Sequence, residues 1–401
     1  MKRVSIAVFS VALLVSGGAM SGALASPAPR SSAVHPTAPI PHGLHARAVC
    51  PAVPTDQARC MSLVLVDASG RIFTSPMPSG LGPADLQDAY KLPSATKGKG
   101  MTVALVDAYD DPNAEADLAV YRSTFGLPAC TTANGCFKKV GQRGGSRYPK
   151  PSSGWAGEIS LDLDMVSAIC PKCNILLVEA DGGQILNLSK SVNTAAVKFG
   201  ADAISNSYGN RDRPRNAKIN EKYWNHPGIA ITAASGDWGF ENYRNFPAQS
   251  QYVTSVGGTA LTKGGGSRGW TETAWSGAGS GCGTFAPKPA WQSDNGCTFR
   301  TYTDVAAVAS PSTGVAVYDT YPSGGWRVYG GTSVASPIIA AVYALAGANV
   351  QYGSRVCMNP DMLFDVTSGS NGTCSPAYLC TAGKGYDGPT GLGTPNGIGD
   401  F

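Results

Sequence analysis

The chain has 401 residues, of which 14% are charged, with 50 glycines, 28 prolines and a formal net charge of +4. That length is enough to bury a sizeable core, and low charge with abundant glycine fits a compact, loop-rich protein better than a disordered one. The small positive balance gives no case for a nucleic-acid or anionic-lipid surface.

Lys2 and Arg3 precede the apolar run VSIAVFSVALLV, and Ala23-Leu24-Ala25 is a small-residue cleavage site. Residues 1–25 therefore read as a secretory signal peptide. The apolar run is shorter than the ~20 residues a bilayer span needs, so the expectation is a secreted, extracellular protein with no membrane attachment after signal removal. Residues 26–79 read as a short N-terminal segment. Its first part, 26–49, is rich in Pro, Ala, Ser and His and reads as flexible; a cysteine pair and the strand-like run MSLVLVD follow.

From Gly80 onward strands and helices alternate. MTVALVD (101–107) reads as a buried strand, 112–126 and 157–169 as helices, NILLVEA (174–180) as a strand and 183–200 as a helix. Strands follow at 202–209, 228–237 and 252–258, and a late apolar helix opens at Ser333. This alternation predicts an α/β domain over 80–401 with a mainly parallel central sheet and helices on both faces. In such sheets ligands bind at the carboxyl ends of the strands, where Asp107, Ser207, Tyr208 and Asp237 stand.

Eleven cysteines in a secreted chain suggest disulfides. They fall in close pairs, Cys50/Cys60, Cys130/Cys136, Cys170/Cys173, Cys282/Cys297 and Cys374/Cys380, with Cys357 left over. Local pairing is the preferred connectivity. Cys170-Pro-Lys-Cys173 also admits a redox or zinc reading, but no second such motif or nearby histidine completes a metal site.

Gly330, Gly331, Thr332 and Ser333 stand just before the apolar run, where a fold presents a serine at a helix start. A serine needs a base before it attacks. Of four histidines, His35, His42 and His45 precede the α/β region, and His226, ahead of a buried strand, reads as structural. A carboxylate base is the remaining choice. Glu158 and Asp162 are four apart and share one helical face, so they hold a shared proton and work in acid. The alternative is a solvated helix face with Asp164 as a third acid. Asp237, after Ser235-Gly236, donates to a developing oxyanion only if protonated; otherwise Ser-Gly-Asp is a turn.

These residues carry a resemblance. GGTSVASP resembles the serine loop of the subtilisin clan, and GEISLD, SGDWG and this loop, in that order, resemble the sedolisin (serine-carboxyl peptidase) family. The resemblance implies a subtilisin-like fold and a triad in which Glu158 is the general base, Asp162 its partner and Ser333 the nucleophile. Asp237 matches the oxyanion position, and Asp107 in ALVDAYD matches an acid that supports the Glu158–Asp162 pair. It also implies one structural calcium held by the Asp365 and Asp387 side chains and the carbonyls of Val366, Gly383 and Gly385. Glycines let carbonyls turn toward a hard cation, which takes about 6–8 oxygens; the alternative is a glycine-rich turn without metal.

The expected function is therefore secreted serine-carboxyl endopeptidase action on peptide or protein substrates at acidic pH through an acyl-enzyme, by a monomer. The alternative is a catalytically weak or inactive secreted binding protein that retains the fold. A histidine-dependent hydrolase using His226 fails on motif, since no His-Gly-Thr-His-like segment lies between Asp107 and Ser333. Two departures stand out. The 26–79 segment is short beside the family's long prosegments, which implies a miniature or remnant prosegment or a different activation. Tyr208 stands where some members carry tryptophan beside the acidic network.

Overall fold

In a computed structural model of the chain, the described residues are Met1, 37–241, 245–347, 350, 352–358 and 360–401. The expected signal peptide, apart from Met1, lies outside them. Every element below belongs to the compact unit Val34–Phe401.

Three strands come first, β1 (His45–Ala48), β2 (Arg59–Cys60) and β3 (Leu63–Val66), then α1 (Pro83–Ala89). Next are β4 (Thr102–Ala108), α2 (Ala114–Thr124), β5 (Phe137–Gly141), α3 (Ser153–Ile169), β6 (Asn174–Ala180) and α4 (Ile185–Asn193). The middle of the chain holds β7 (Ala203–Asn206), β8 (Tyr208–Arg211), α5 (Asn216–Tyr223), β9 (Ala230–Ala234), β10 (Asn245–Phe246) and β11 (Thr254–Lys263). The last third holds β12 (Trp270–Ala274), β13 (Gly281–Pro287), β14 (Phe299–Tyr302), β15 (Val305–Val308), β16 (Val315–Asp319), β17 (Gly325–Gly330) and α6 (Thr332–Ala346).

The central sheet runs β12-β11-β9-β7-β4-β6-β5, with β15 also paired to β11. All its pairings are parallel except β11 with β12. Its middle strand shows why the sequence reads as a continuous apolar run. Val103 and Leu105 enter the core shared with α1, α2, α3 and α6, while Ala104, Val106 and Ala108 enter the core shared with α4. A strand buried on both faces has no polar side to alternate with. The subtilisin-like α/β architecture expected from the sequence is the one observed.

Several local expectations change. Helix α3 starts at Ser153, a turn before the expected 157, because extended Ser152 after Pro151 begins it and Trp155 is buried like the residues that follow. The single strand expected over 202–209 is broken at Ser207: β7 pairs with β4 and β9, whereas β8 turns away to pair with β2 and β10. The helix expected over 183–200 ends regular winding at Asn193 and widens over Thr194–Lys198. The flexible reading of 26–49 does not hold at its end, because β1 pairs antiparallel with β3.

Strands on either side of residue 80, the expected boundary, pair with one another. β3 pairs antiparallel with β17, the strand that leads into α6, and β2 pairs with β8. Residues from 37 onward thus belong to the same unit as the α/β core. The five expected disulfides are all present, including Cys170–Cys173, and Cys357 is free. Among the described residues no helix is long and apolar enough to cross a membrane.

Candidate active site

Two helices bring the expected chemistry together. α6 begins immediately after β17, and the turn depends on Gly331, whose φ of 97° favours glycine. A Cβ there would also collide with the Met61 carbonyl oxygen and stand 2.7 Å from Asp237 Oδ2. Ser333 follows in the first turn and is fully buried. Helix α3 crosses nearby with every residue from Trp155 to Ile169 buried, so the solvated face considered for Glu158, Asp162 and Asp164 does not exist. Gly157 lets it approach: a Cβ there would lie 2.6 Å from the Tyr329 hydroxyl of β17.

Glu158, Asp162 and Asp107 are each 0% exposed. Neither oxygen of Glu158 or of Asp107 has a hydrogen-bond partner, nor does Asp162 Oδ2. Burial pushes the Asp107 carboxyl up to about 8. Burial, and then the neighbouring Asp107 charge, raise Glu158 well above the usual carboxylate range. The same two causes, with Glu158 third, raise Asp162. The Ser333 and Ser62 hydroxyls stand near enough to Glu158 to oppose its rise, although neither closes a hydrogen bond of good geometry to it. Asp107 therefore acts on the pair through charge and not through a hydrogen bond. Tyr208 is similar: the Asp107 and Asp162 charges reach it, but its hydroxyl donates to Asn206 Oδ1 at 2.7 Å.

Ser207, at the break between β7 and β8, joins the two helices. Its Oγ lies 2.8 Å from Asp162 Oδ1 and 3.4 Å from the Ser333 carbonyl oxygen. That carbonyl lacks its usual helical partner because Pro337, four residues on, has no N–H. A hydroxyl has one proton to donate. With Asp162 protonated, as its burial favours, the carboxyl donates to Ser207 and Ser207 is free to donate to Ser333. The Ser333 hydroxyl itself donates to the Ser207 carbonyl at 3.1 Å.

Asp237 follows Gly236 beyond the end of β9. Its Oδ1 accepts from the Thr332 N–H at 2.8 Å and the Thr332 hydroxyl at 2.9 Å. That leaves Oδ2, on the Gly331 side, as the oxygen to carry a proton. Asp237 keeps some solvent-accessible surface yet is densely surrounded, and burial pushes its carboxyl up to about 7 against the pull of Thr332 and Arg59. His226 precedes β9, at the strand's opposite end. Its ring bonds the Tyr223 carbonyl at 3.0 Å, and burial lowers its proton affinity.

Sequence reasoning missed Thr332 as the anchor of Asp237, although it stands in the GGTS motif. It also missed Met61 and Ser62. The Ser333 backbone N–H donates to the Met61 carbonyl at 2.9 Å. No local pattern marks that contact.

The expected calcium residues lie on two segments, 365–366 and the glycine-rich 383–387, joined by a hydrogen bond. Asp365 Oδ2 accepts from Gly385 N–H at 2.9 Å, and Asp387 Oδ2 from Gly383 N–H at 3.0 Å. Asp387 Oδ1 accepts from the Thr390 N–H and hydroxyl, and Val366 is buried. Burial chiefly, and the Asp365 charge in part, push Asp387 up to about 7. The donors that face these two carboxyls are the N–H groups of Gly383, Gly385 and Thr390 and the Thr390 hydroxyl. Among the described residues no group of three or more His, Cys, Asp or Glu is placed to hold a metal; the expected set has only two such side chains.

The buried acids make stability depend on pH. Raised values mean that the folded chain holds more protons than the unfolded one between about pH 4 and the raised values, so their contribution is full below that window and is lost as pH climbs through it. The melting temperature should fall from about pH 5 to about pH 8, and Glu158→Gln should flatten that slope. Calorimetry across the range checks it; a wild-type melting temperature that rises over the same interval contradicts it.

The pattern of the Subtilase family matches residues 151–368. Kumamolisin of Bacillus sp. (strain MN-32) is 29% identical over 367 residues, covering 81% of this chain and 63% of that protein. Sedolisin of Pseudomonas sp. (strain 101) is 27% identical over 359 residues, covering 79% and 60%. This chain thus spans about three fifths of the length of these curated relatives. A solved structure of Pseudomonas sedolisin, a serine-carboxyl proteinase complexed with two molecules of pseudo-iodotyrostatin, superposes with a TM-score of 0.68 at 26% identity, covering 80% of this chain and 96% of that one. With the family pattern running through both α3 and α6, this chain belongs to the subtilase family of peptidases.

Proposed function

We propose that this chain is a secreted serine-carboxyl peptidase that cleaves peptide bonds in acid. The observation that carries the reading is the buried, cation-free set of Glu158, Asp162 and Asp107 beside a helix-start serine, with His226 at the far end of its strand. In this reading the cluster holds fewer protons than carboxyls, and Ser333 attacks the substrate carbonyl as an ionised Glu158 takes its proton. Asp162 holds and tunes Glu158, and Asp107 keeps the pair's proton affinity high. Protonated Asp237 and the Ser333 N–H stabilise the oxyanion. Glu158 then protonates the leaving amine, and water repeats the cycle through the acyl-enzyme. The disulfides fit an oxidising, extracellular setting, and the proposed substrates are peptides or proteins, acted on by a monomer.

Ser333→Ala should lower kcat by about 10⁴-fold or more, with the fold intact by circular dichroism, while His226→Ala keeps most activity. A well-folded, inactive His226→Ala protein would return the histidine mechanism. A wild-type chain that neither turns over peptides nor reacts with a serine-directed probe favours the alternative, a binding protein on a peptidase fold.

Asp237 sets an alkaline limit. Its carboxyl donates only below its raised value of about 7, so activity falls as pH rises through that value. Loss of one oxyanion donor costs about 10²–10³ in kcat, which is the expected deficit of Asp237→Ala at every pH. Asp237→Asn supplies a donor that does not titrate, so it should exceed Ala and carry its activity further upward in pH. Equal inactivity of Asn and Ala would remove Asp237 from the oxyanion site.

We also propose one structural calcium held by Asp365 and Asp387 with the carbonyls of Val366, Gly383 and Gly385. A ligand that binds only the folded state stabilises it by about 2.7 kcal/mol at a hundredfold excess over its Kd. Chelator should lower the melting temperature and added calcium restore it; a melting temperature indifferent to both counts against the site.

A further inference from the structure

Charge is not spread evenly over the fold. Residues 182–222 carry seven Lys or Arg against three Asp or Glu, an excess of four that equals the formal net charge of the entire chain. A balance taken over all 401 residues hides such a surface. The densest part leaves the end of β8, turns at Pro214 and continues as α5. It holds Arg211, Arg213, Arg215, Lys218 and Lys222, of which Arg213 is half-buried and the rest are exposed. The face extends onto α4, which meets the end of α5 through a 2.9 Å bond from Trp224 Nε1 to Ser189 Oγ. From 182 to 201 that neighbouring segment exposes Lys190 and Lys198 and contains no acid.

The cations from Arg211 to Lys222 lack counter-charges. None of them forms an ion pair among the described residues, whereas exposed Arg71 and Arg143 are paired with Asp67 and Asp181. The three acids of the segment are turned to other partners. Asp202 Oδ2 accepts from the Thr102 N–H at 2.7 Å. Glu221 accepts from Gln251 Nε2 at 3.0 Å and from the Tyr252 hydroxyl at 2.6 Å. Asp212 accepts from the Thr284 hydroxyl, and burial pushes its carboxyl up to about 6, so it adds little negative charge in acid. Lys218 and Lys222 stand one turn apart on α5, a like-charge spacing that destabilises a helix. A polyanion laid on this face would remove that repulsion.

We propose that the face from Arg211 to Lys222 docks this chain on a linear phosphate polymer, recognised by its charge and not by any base. Three of the five cations are arginines, whose planar fork meets phosphate oxygens two at a time. In acid a carboxylate polymer loses charge, since ordinary carboxyls ionise near about pH 4, while a phosphodiester keeps its own. The face offers little to a nucleic-acid base. The ring that follows it, Tyr223, is half-buried and has Lys222 Nζ 5.2 Å over its centre. The strip begins beyond the carboxyl end of β7, at the rim of the crevice that holds Ser207. Docking there would keep the crevice close to an anionic surface, and it holds whether or not the chain is a peptidase.

The test titrates the full chain into labelled long-chain polyphosphate in acid buffer over a salt series. Neutralising about five phosphates should make the logarithm of affinity fall with the logarithm of salt at a slope of about −3.5. Arg211→Gln, Arg213→Gln and Arg215→Gln together should weaken binding by about tenfold or more and cut the slope to about −1.4. That variant should keep its circular dichroism spectrum and the wild-type level of reporter-peptide turnover. Lys97→Gln, Lys99→Gln and Lys172→Gln remove the same charge from exposed sites before β4 and β6, at the opposite end of the parallel strands, and should bind as wild type does. An equal loss in the two triple variants reduces the effect to net charge and overturns the inference, as does a wild-type chain that ignores polyphosphate. Poly-glutamate bound as tightly in the same buffer makes the partner an acidic peptide. Single-stranded DNA bound more tightly than polyphosphate of equal phosphate number makes it a nucleic acid. Either result overturns the phosphate-polymer assignment.

Discussion

Three carboxyl groups buried side by side with no cation among them must hold protons, and much of the site follows from that. Elsewhere the fold neutralises buried acids with guanidinium groups: Arg300 pairs with Asp304, and Arg327 with Asp319. Glu158, Asp162 and Asp107 have no such partner. Ionising one raises the cost of ionising the next, and burial adds to every step. The cluster thus behaves as one proton store with shared titration. A serine beside such a store needs no histidine, provided that the pH leaves one carboxyl ready to take a proton.

The same constraint explains why the neighbourhood is built from small residues and hydroxyls. Gly157 brings α3 against β17, and Gly331 brings the start of α6 against Met61 and Asp237. Ser207 lies between Asp162 and Ser333, and its donor direction depends on which carboxyl atom holds the proton. Thr332 fixes Asp237 through one oxygen and leaves the other for a proton. Each contact adjusts where a proton resides, and none introduces a fixed positive charge into the cluster.

The sequence was most legible where the signal is local. β6 matches the apolar run 174–180, and the close cysteine pairs match the five disulfides. The order of the glutamate, aspartate and serine motifs was readable because each is a short string. What was hidden depends on residues far apart in the chain. The break at Ser207 is set by β2 and β10, which pair with β8 and not with the central sheet. The hold of Thr332 on Asp237 spans 95 residues. The pairing of β3 with β17, more than 250 residues away in sequence, was equally hidden. Composition could not mark Met61 as the residue whose carbonyl would meet Ser333.

The central claim is that the carboxyl cluster stays protonated well above the ordinary carboxylate range. Infrared difference spectra between wild type and Glu158→Gln, and between wild type and Asp107→Asn, recorded from acid to alkaline pH, measure it directly. The account predicts a protonated-carboxyl carbonyl band, shifted by the substitutions, that persists at neutral pH and disappears only near or beyond the raised Asp107 value of about 8. Loss of that band at about pH 4, where exposed carboxylates ionise, would contradict it.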